Sequence, residues 1–142
     1  MEYRELTPAD EELIAAAFEA IRRNFLRDRH HVGAAVRAGS GRIYSGVHME
    51  SPGVDVCAEW VALGSAATAG EREYTCVVAV KRSGERGGVP GVMSPCGLCR
   101  ELLYYYASGA DVIVPAEGGP RKVGISELLP MPYTENRPPR VT

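Results

Sequence analysis

An α/β domain, built on a mixed sheet with helices on both faces, is what this chain predicts, and three observations carry the prediction. Helical and extended periods alternate along all 142 residues. Residues 74–82, YTCVVAVKR, form the continuous β-branched run expected of a central strand covered on both sides. No internal repeat, low-complexity tract or linker breaks the alternation, so the elements are expected to share one domain spanning residues 1–142.

The elements follow in order. Residues 8–27 carry Leu13, Ile14, Ala17, Phe18, Ile21 and Phe25 at helical spacing, with acids early and arginines late, as a helix dipole favours. VGAAVRA and RIYSGVHM, joined by Gly-Ser-Gly, read as a hairpin. Residues 57–69, CAEWVALGSAATA, read as a buried helix. After a glycine-rich loop, Ser94-Pro95 sets a capping side chain before a proline at the first helical position, which predicts a helix over about 95–107. ADVIVPA and RKVGI are short strands, and Ser126 is the expected cap of a short last helix over SELLP.

Composition narrows the function. With 45% hydrophobic residues the chain buries a real core, and its net charge of -2 without a long run of one sign argues against a nucleic-acid partner. No apolar run is long enough to span a bilayer, and MEYRELTPADEEL is polar and acidic where a secretory leader is basic and then apolar. The expected location is the cytoplasm and the expected partner a small molecule. In a reducing compartment, the four cysteines Cys57, Cys76, Cys96 and Cys99 point to a metal or to catalysis.

Spacing then assigns the chemistry. Cys96 and Cys99 lie three apart at a helix start, so both sulfurs share one face, where free N–H groups favour thiolate. Cys57 opens the other helix and supplies a third thiolate if the two helix starts converge. Three protein ligands leave a tetrahedral Zn2+ one open position, the mark of a catalytic site, where bound water has its pKa lowered to about 7. Glu59, two residues past a ligand, is placed to move that water's proton. The competing reading is a closed structural site completed by Cys76. For Glu59 it is an ordinary solvated glutamate.

Cys57-Ala58-Glu59 followed by Pro95-Cys96-Gly97-Leu98-Cys99 resembles the signature of the cytidine-deaminase superfamily. The likeness runs from about residue 32 to 133 and looks like the small tetrameric nucleoside deaminases. CAEWVALGSAATAG, YTCVVAV, SPCGLCREL and VGISELLP are similar to stretches of blasticidin-S deaminases.

The resemblance implies a cytidine-deaminase-like α/β/α sandwich with a five-stranded mixed sheet of order 2-1-3-4-5, a homotetramer with one zinc per subunit, and hydrolytic loss of ammonia from an aminopyrimidine. Cys57, Cys96 and Cys99 would hold zinc, and Glu59 would protonate the ring nitrogen and then the departing amine. The N–H groups of Ala58 and Cys96 and the carbonyl of Ser94 would face the base. Glu50 matches a glutamate that grips ribose hydroxyls, with His48 in place of an asparagine. His30 stands where an aromatic residue stacks on the base, and Tyr133 fits an aromatic that closes the pocket, in some members from a neighbouring subunit. Leu98 and Glu135 replace an arginine and a tryptophan of the blasticidin-S deaminases. With Trp60 standing where an arginine follows the glutamate in three-thiolate relatives, Arg100, next to Cys99, becomes the candidate to donate a hydrogen bond to a cysteine sulfur. A non-nucleoside amino-heterocycle as substrate and a catalytically silent zinc-binding module are the alternatives that stay open.

Overall fold

The computed structural model describes residues 1–27, 29–82 and 91–133. The glycine-rich stretch at 83–90 and Glu135 lie outside the described residues. In chain order the elements are α1 (Pro8–Asn24), β1 (Val32–Ala38), β2 (Ile43–Val47), β3 (Met49–Ser51), β4 (Val54–Val56), α2 (Ala58–Thr68), β5 (Tyr74–Lys81), β6 (Gly91–Met93), α3 (Gly97–Tyr106), β7 (Asp111–Val114), β8 (Arg121–Gly124) and α4 (Ile125–Leu128).

The main sheet runs β2-β1-β5-β7-β8, the expected 2-1-3-4-5 order. Among the described residues only the β5–β7 pair is parallel; β1 pairs antiparallel with both β2 and β5, and β7 with β8. One strand was not foreseen. β6 pairs antiparallel with Ala79–Lys81 of β5, past the point where β7 lies beside Cys76 and Val77, so this sheet has six strands. A separate hairpin, β3–β4, also went unread, because its three-residue strands are too short to show a period.

Helices cover both faces because the strands alternate between two apolar sets. On one side Ala35, Cys76, Val78, Val80 and Ile113 pack against Leu13, Ala17 and Ile21 of α1. On the other, Ala34, Val36, Val77, Ala79 and Val112 pack against Ala58, Ala62 and Leu63 of α2 and Leu102 and Leu103 of α3. Two glycines set these distances. A Cβ on Gly33 would stand 2.3 Å from the Ala17 carbonyl oxygen, and one on Gly46 would stand 2.6 Å from the Ala62 nitrogen. The β1–β2 hairpin therefore takes α1 and α2 at contact distance on its opposite faces.

Three helix ends differ from expectation. Helix α1 stops at Asn24, where the Asn24 side chain bonds back to the Ala20 carbonyl and Phe25 turns extended. Helix α3 starts at Gly97 with Cys96 as its N-cap, and Ser94 Oγ accepts from Arg100 instead of capping. Helix α4 starts at Ile125, whose N–H donates to the Ala110 carbonyl, so Ser126 lies inside the helix and Gly124 is its N-cap.

Candidate active site

Both cysteine-bearing helices begin on a cysteine. Cys57 is the N-cap of α2 and Cys96 the N-cap of α3, each with extended backbone and no side-chain capping bond, so both sulfurs are free to face a common point. The helix starts do converge: Cys57 Sγ lies 3.6 Å from Cys96 Sγ, and the sulfurs of Cys57, Cys96 and Cys99 all fall within 4.8 Å of one another. A tetrahedral ion with Zn–S bonds of about 2.3 Å has sulfur–sulfur edges of about 3.8 Å, so this spacing fits zinc.

Without a cation, thiol acidity is split among the three sulfurs. For Cys96, burial works against ionisation, but the amides of Cys99 and Leu98 and the neighbouring thiols outweigh it and pull its pKa down. Burial pushes Cys57 up to about 11 and raises Cys99 well above the ordinary thiol value, helped by the negative charge nearby. Three thiols this close deprotonate together only around a positive ion. Cys76 is not available as a fourth ligand. It faces α1 on the opposite side of the sheet, fully buried, with its thiol pushed up to about 12 by burial.

Glu59 is 5% exposed, which sets it apart from a solvated helix glutamate. Burial raises its carboxyl pKa, moderated by its own backbone N–H and by Cys99. It lines a cavity of about 310 Å³ together with Cys57, Ala58, Ser94, Cys96 and His48. The sulfurs, a buried carboxyl and the first residue of α2 thus share one wall.

The cavity also draws in residues that sequence reasoning missed: His31, Val32, Asp55, Ala79, Lys81 and Met93. Lys81 closes the β5 run, and its place at the end of a central strand was a readable signal. Asp55 was hidden in the unread hairpin. There it pairs across from Glu50, so both acids point to the same face.

Four expected contacts come out differently. His30 is drawn away from the cavity by its backbone bridge to Leu26, and its Nδ1 donates to the Asn24 carbonyl. His31 takes the inner place, stacked on His48 with ring centroids 5.3 Å apart. Glu50 stands beside the cavity, with Oε2 3.6 Å from His48 Nε2. Tyr133 is 65% exposed, its N–H donating to Glu101, and it does not line the cavity of its own chain.

Arg100 is the clearest correction. Its guanidinium donates to the Pro95 carbonyl at 2.9 Å, the Leu128 carbonyl at 3.0 Å and Ser94 Oγ at 3.0 Å, and to no sulfur. Carbonyl oxygens are the better acceptors for a charged fork, and the guanidinium therefore fastens the backbone that precedes Cys96 to the end of α4.

The model of the cytidine and deoxycytidylate deaminase zinc-binding region matches residues 7–114. The chain belongs to this family. It is 41% identical over 135 residues to a blasticidin-S deaminase of Bacillus cereus, covering 92% of this chain and 96% of that protein. It is 27% identical over 130 residues to a cytidine deaminase of Sporosarcina psychrophila, covering 88% and 91%. Among solved structures, the cytidine deaminase from Burkholderia pseudomallei superposes with a TM-score of 0.71 at 27% identity, over 90% of this chain and all of that one. The protein is thus a zinc-binding hydrolase of C–N bonds, a deaminase. No helix among the described residues is long and apolar enough to cross a membrane.

Proposed function

We propose that this deaminase hydrolyses the exocyclic amine of a cytosine nucleoside or a blasticidin-S-like nucleoside antibiotic, releasing ammonia. The observation that carries the proposal is the buried Glu59 carboxyl beside three convergent sulfurs, on the wall of a cavity large enough for a nucleoside. The similarity to a blasticidin-S deaminase and to a cytidine deaminase supports it.

Cys57, Cys96 and Cys99 would hold the zinc, which when bound would supply a Lewis acid that makes water acidic near neutral pH. Glu59 acts on the proton. A buried carboxyl with a raised pKa accepts a proton from water, gives it to the ring nitrogen, and takes the next one to the departing amine. The balance is one water consumed, the C–N bond broken, a ring carbonyl formed and ammonia released. On this reading the N–H groups of Ala58 and Cys96, at the starts of α2 and α3, donate to oxygen on the reacting ring. On this reading the Ser94 carbonyl accepts from the amine; Ser94 lies on the segment that Arg100 holds through the Pro95 carbonyl and Ser94 Oγ.

The cavity of a single chain lacks the aromatic cover expected from Tyr133. Trp60, Leu98, Tyr106 and Tyr133 are all solvent-facing, with Leu98 70% exposed. We take these as contacts between copies in a homo-oligomer, with Tyr133 covering a neighbour's cavity. Light scattering on the purified protein is expected to give a tetramer mass, and a monomer would end that part of the reading.

The experiment for the activity is ammonia release and ultraviolet change from zinc-loaded protein with cytidine, deoxycytidine, blasticidin S, cytosine and an amino-triazine, with Glu59→Gln in parallel. Turnover of a nucleoside that falls by about 10²–10⁴ in Glu59→Gln, with zinc retained, supports the proposal. Preference for the triazine or for free cytosine would replace the substrate class. Silence with every compound would leave the zinc-binding module.

A further inference from the structure

We infer that Lys81 is a specificity-determining residue of the cavity. Its ammonium receives an anionic oxygen group, a carboxylate or a phosphate, carried by the substrate beyond its base, so that charged nucleosides are favoured over plain cytidine. The inference rests on the nucleoside reading above and names the class of nucleoside.

Strand register fixes where Lys81 stands. Along β5, Cys76, Val78 and Val80 pack toward α1, whereas Val77 and Ala79 pack toward α2 and α3. Because side chains alternate, Lys81 continues the second set and emerges on the side of the sulfurs, where it lines the cavity with Ala79. β6 then sets its depth. Met93 lies across from Ala79 and Gly91 across from Lys81, and from Met93 the chain runs on through Ser94 to Cys96. Lys81 is thus set back from the cysteine end, by about 7 Å relative to Ala79 at about 3.3 Å per strand residue. Val32 of β1 flanks it on one side and Gly91, without a side chain, on the other.

Its ammonium is uncommitted. Among the described residues it makes no ion pair and no side-chain hydrogen bond, although Asp55 and Glu59 line the same cavity. The chain's other lysine behaves differently: Lys122, on the α1 side, donates to the buried Asp10 carboxylate at 2.9 Å. A lysine kept for solubility stands out in water. Lys81 is instead half-buried between two strands, and it is the sole lysine or arginine among the described residues that line the cavity.

What it receives follows from charge and depth. A half-buried ammonium is stabilised most by an oxyanion, because charge-assisted N–H···O bonds are roughly twice as strong as neutral ones. With the amine of the base at the sulfurs and Glu59, Lys81 meets the group attached to the ring and not the ring itself. Free cytosine brings nothing there and cytidine only hydroxyls. A sugar that bears a carboxylate or phosphate brings the countercharge. Asp55, across from Glu50 on the β3–β4 hairpin, keeps the wall from being positive as a whole. Selectivity therefore resides in direct pairing with Lys81, and a single substitution removes it.

The test compares cytidine, cytidine monophosphate and blasticidin S, whose sugar carries a carboxylate, on zinc-loaded, full-length protein and its Lys81→Gln and Lys81→Arg variants. Calorimetric binding is measured with Glu59→Gln added, so that no compound is consumed, and kcat/KM with Glu59 intact. At least one charged compound is expected to exceed cytidine about tenfold or more. That ratio is expected to fall about tenfold to hundredfold in Lys81→Gln and to recover in part in Lys81→Arg, with zinc content unchanged. Loss with the monophosphate assigns the phosphate, and loss with blasticidin S the carboxylate. In the wild type, added salt is expected to weaken the favoured charged compound more than cytidine. A ratio that Lys81→Gln leaves unchanged, no preference for either charged compound, or equal salt sensitivity would overturn the inference. Charged binding that Lys81→Gln abolishes, without turnover of any compound, would remove the activity and leave the inference standing. Turnover of cytidine without a preference for charge would remove the inference alone.

Discussion

At the scale of single residues, the convergence of the three cysteines, with Glu59 on the same wall, was legible because local spacing encodes it. Cys-x-Glu and Pro-Cys-x-x-Cys each fix a geometry within one turn of helix, and the fold had only to bring two helix starts together. Arg100 was not legible in the same way. Its acceptors include the Leu128 carbonyl, 28 residues away, which no local pattern announces. The histidine pair failed for a related reason: a backbone bridge between Leu26 and His30 decides which ring faces inward. Arg100 gives a test at this scale. Arg100→Ala removes three charge-assisted bonds that hold Ser94 and Pro95, so we expect a stability loss of about 2 kcal/mol and about tenfold easier zinc removal by a chelator. Arg100→Lys, lacking the planar fork, recovers only part of both. Thermal unfolding and chelator competition read the two effects; no change in either would show that the clamp is idle.

At the scale of elements, periodicity and apolar runs located α1, α2, α3 and the five strands β1, β2, β5, β7 and β8, because each buries or half-buries at least one apolar position in a run bounded by turn residues. The caps were less legible. Ser94 and Ser126 look like N-caps in sequence, yet the helix starts are set by Cys96, whose sulfur must stand at the tip of α3, and by the buried Ile125. The β3–β4 hairpin was lost for want of length, and with it Asp55 on the cavity wall. Gly46 carries the prediction here. It lets α2, and so Cys57 and Glu59, settle directly on β2. The added methyl of Gly46→Ala meets the Ala62 backbone and the Val61 side chain within 3 Å. We expect a loss of about 2 kcal/mol, with zinc affinity falling as α2 is displaced. Denaturant unfolding and zinc titration check this, and wild-type values in both would show that the packing there is looser than described.

For the whole molecule, one buried carboxylate ties the layers together. Asp10 of α1 is fully buried; its carboxylate accepts from Lys122 of β8 at 2.9 Å, Arg37 of β1 at 3.1 Å and the Thr7 N–H at 2.9 Å. The sequence showed Asp10 only as an acid in a first turn; its partners come from strands far along the chain. Burial by itself would raise its pKa, but these bonds outweigh that and hold the carboxyl well below the usual carboxylate range. A depressed folded-state pKa adds stability that is complete above the unfolded value and is lost as pH falls below about 4. Acid unfolding is therefore expected to begin there. Asp10→Asn is expected to cost about 3 kcal/mol at neutral pH and to flatten the pH dependence in this window. A variant whose stability falls with acid as steeply as the wild type would show that other carboxylates carry the effect.

X-ray absorption at the zinc edge of the loaded protein tests whether an open, three-sulfur zinc centre stands beside the buried Glu59 carboxyl. Three sulfurs at about 2.3 Å and one oxygen or nitrogen neighbour at about 2.0–2.2 Å are expected. Four sulfurs, with Cys76 recruited and no position left open, would contradict it.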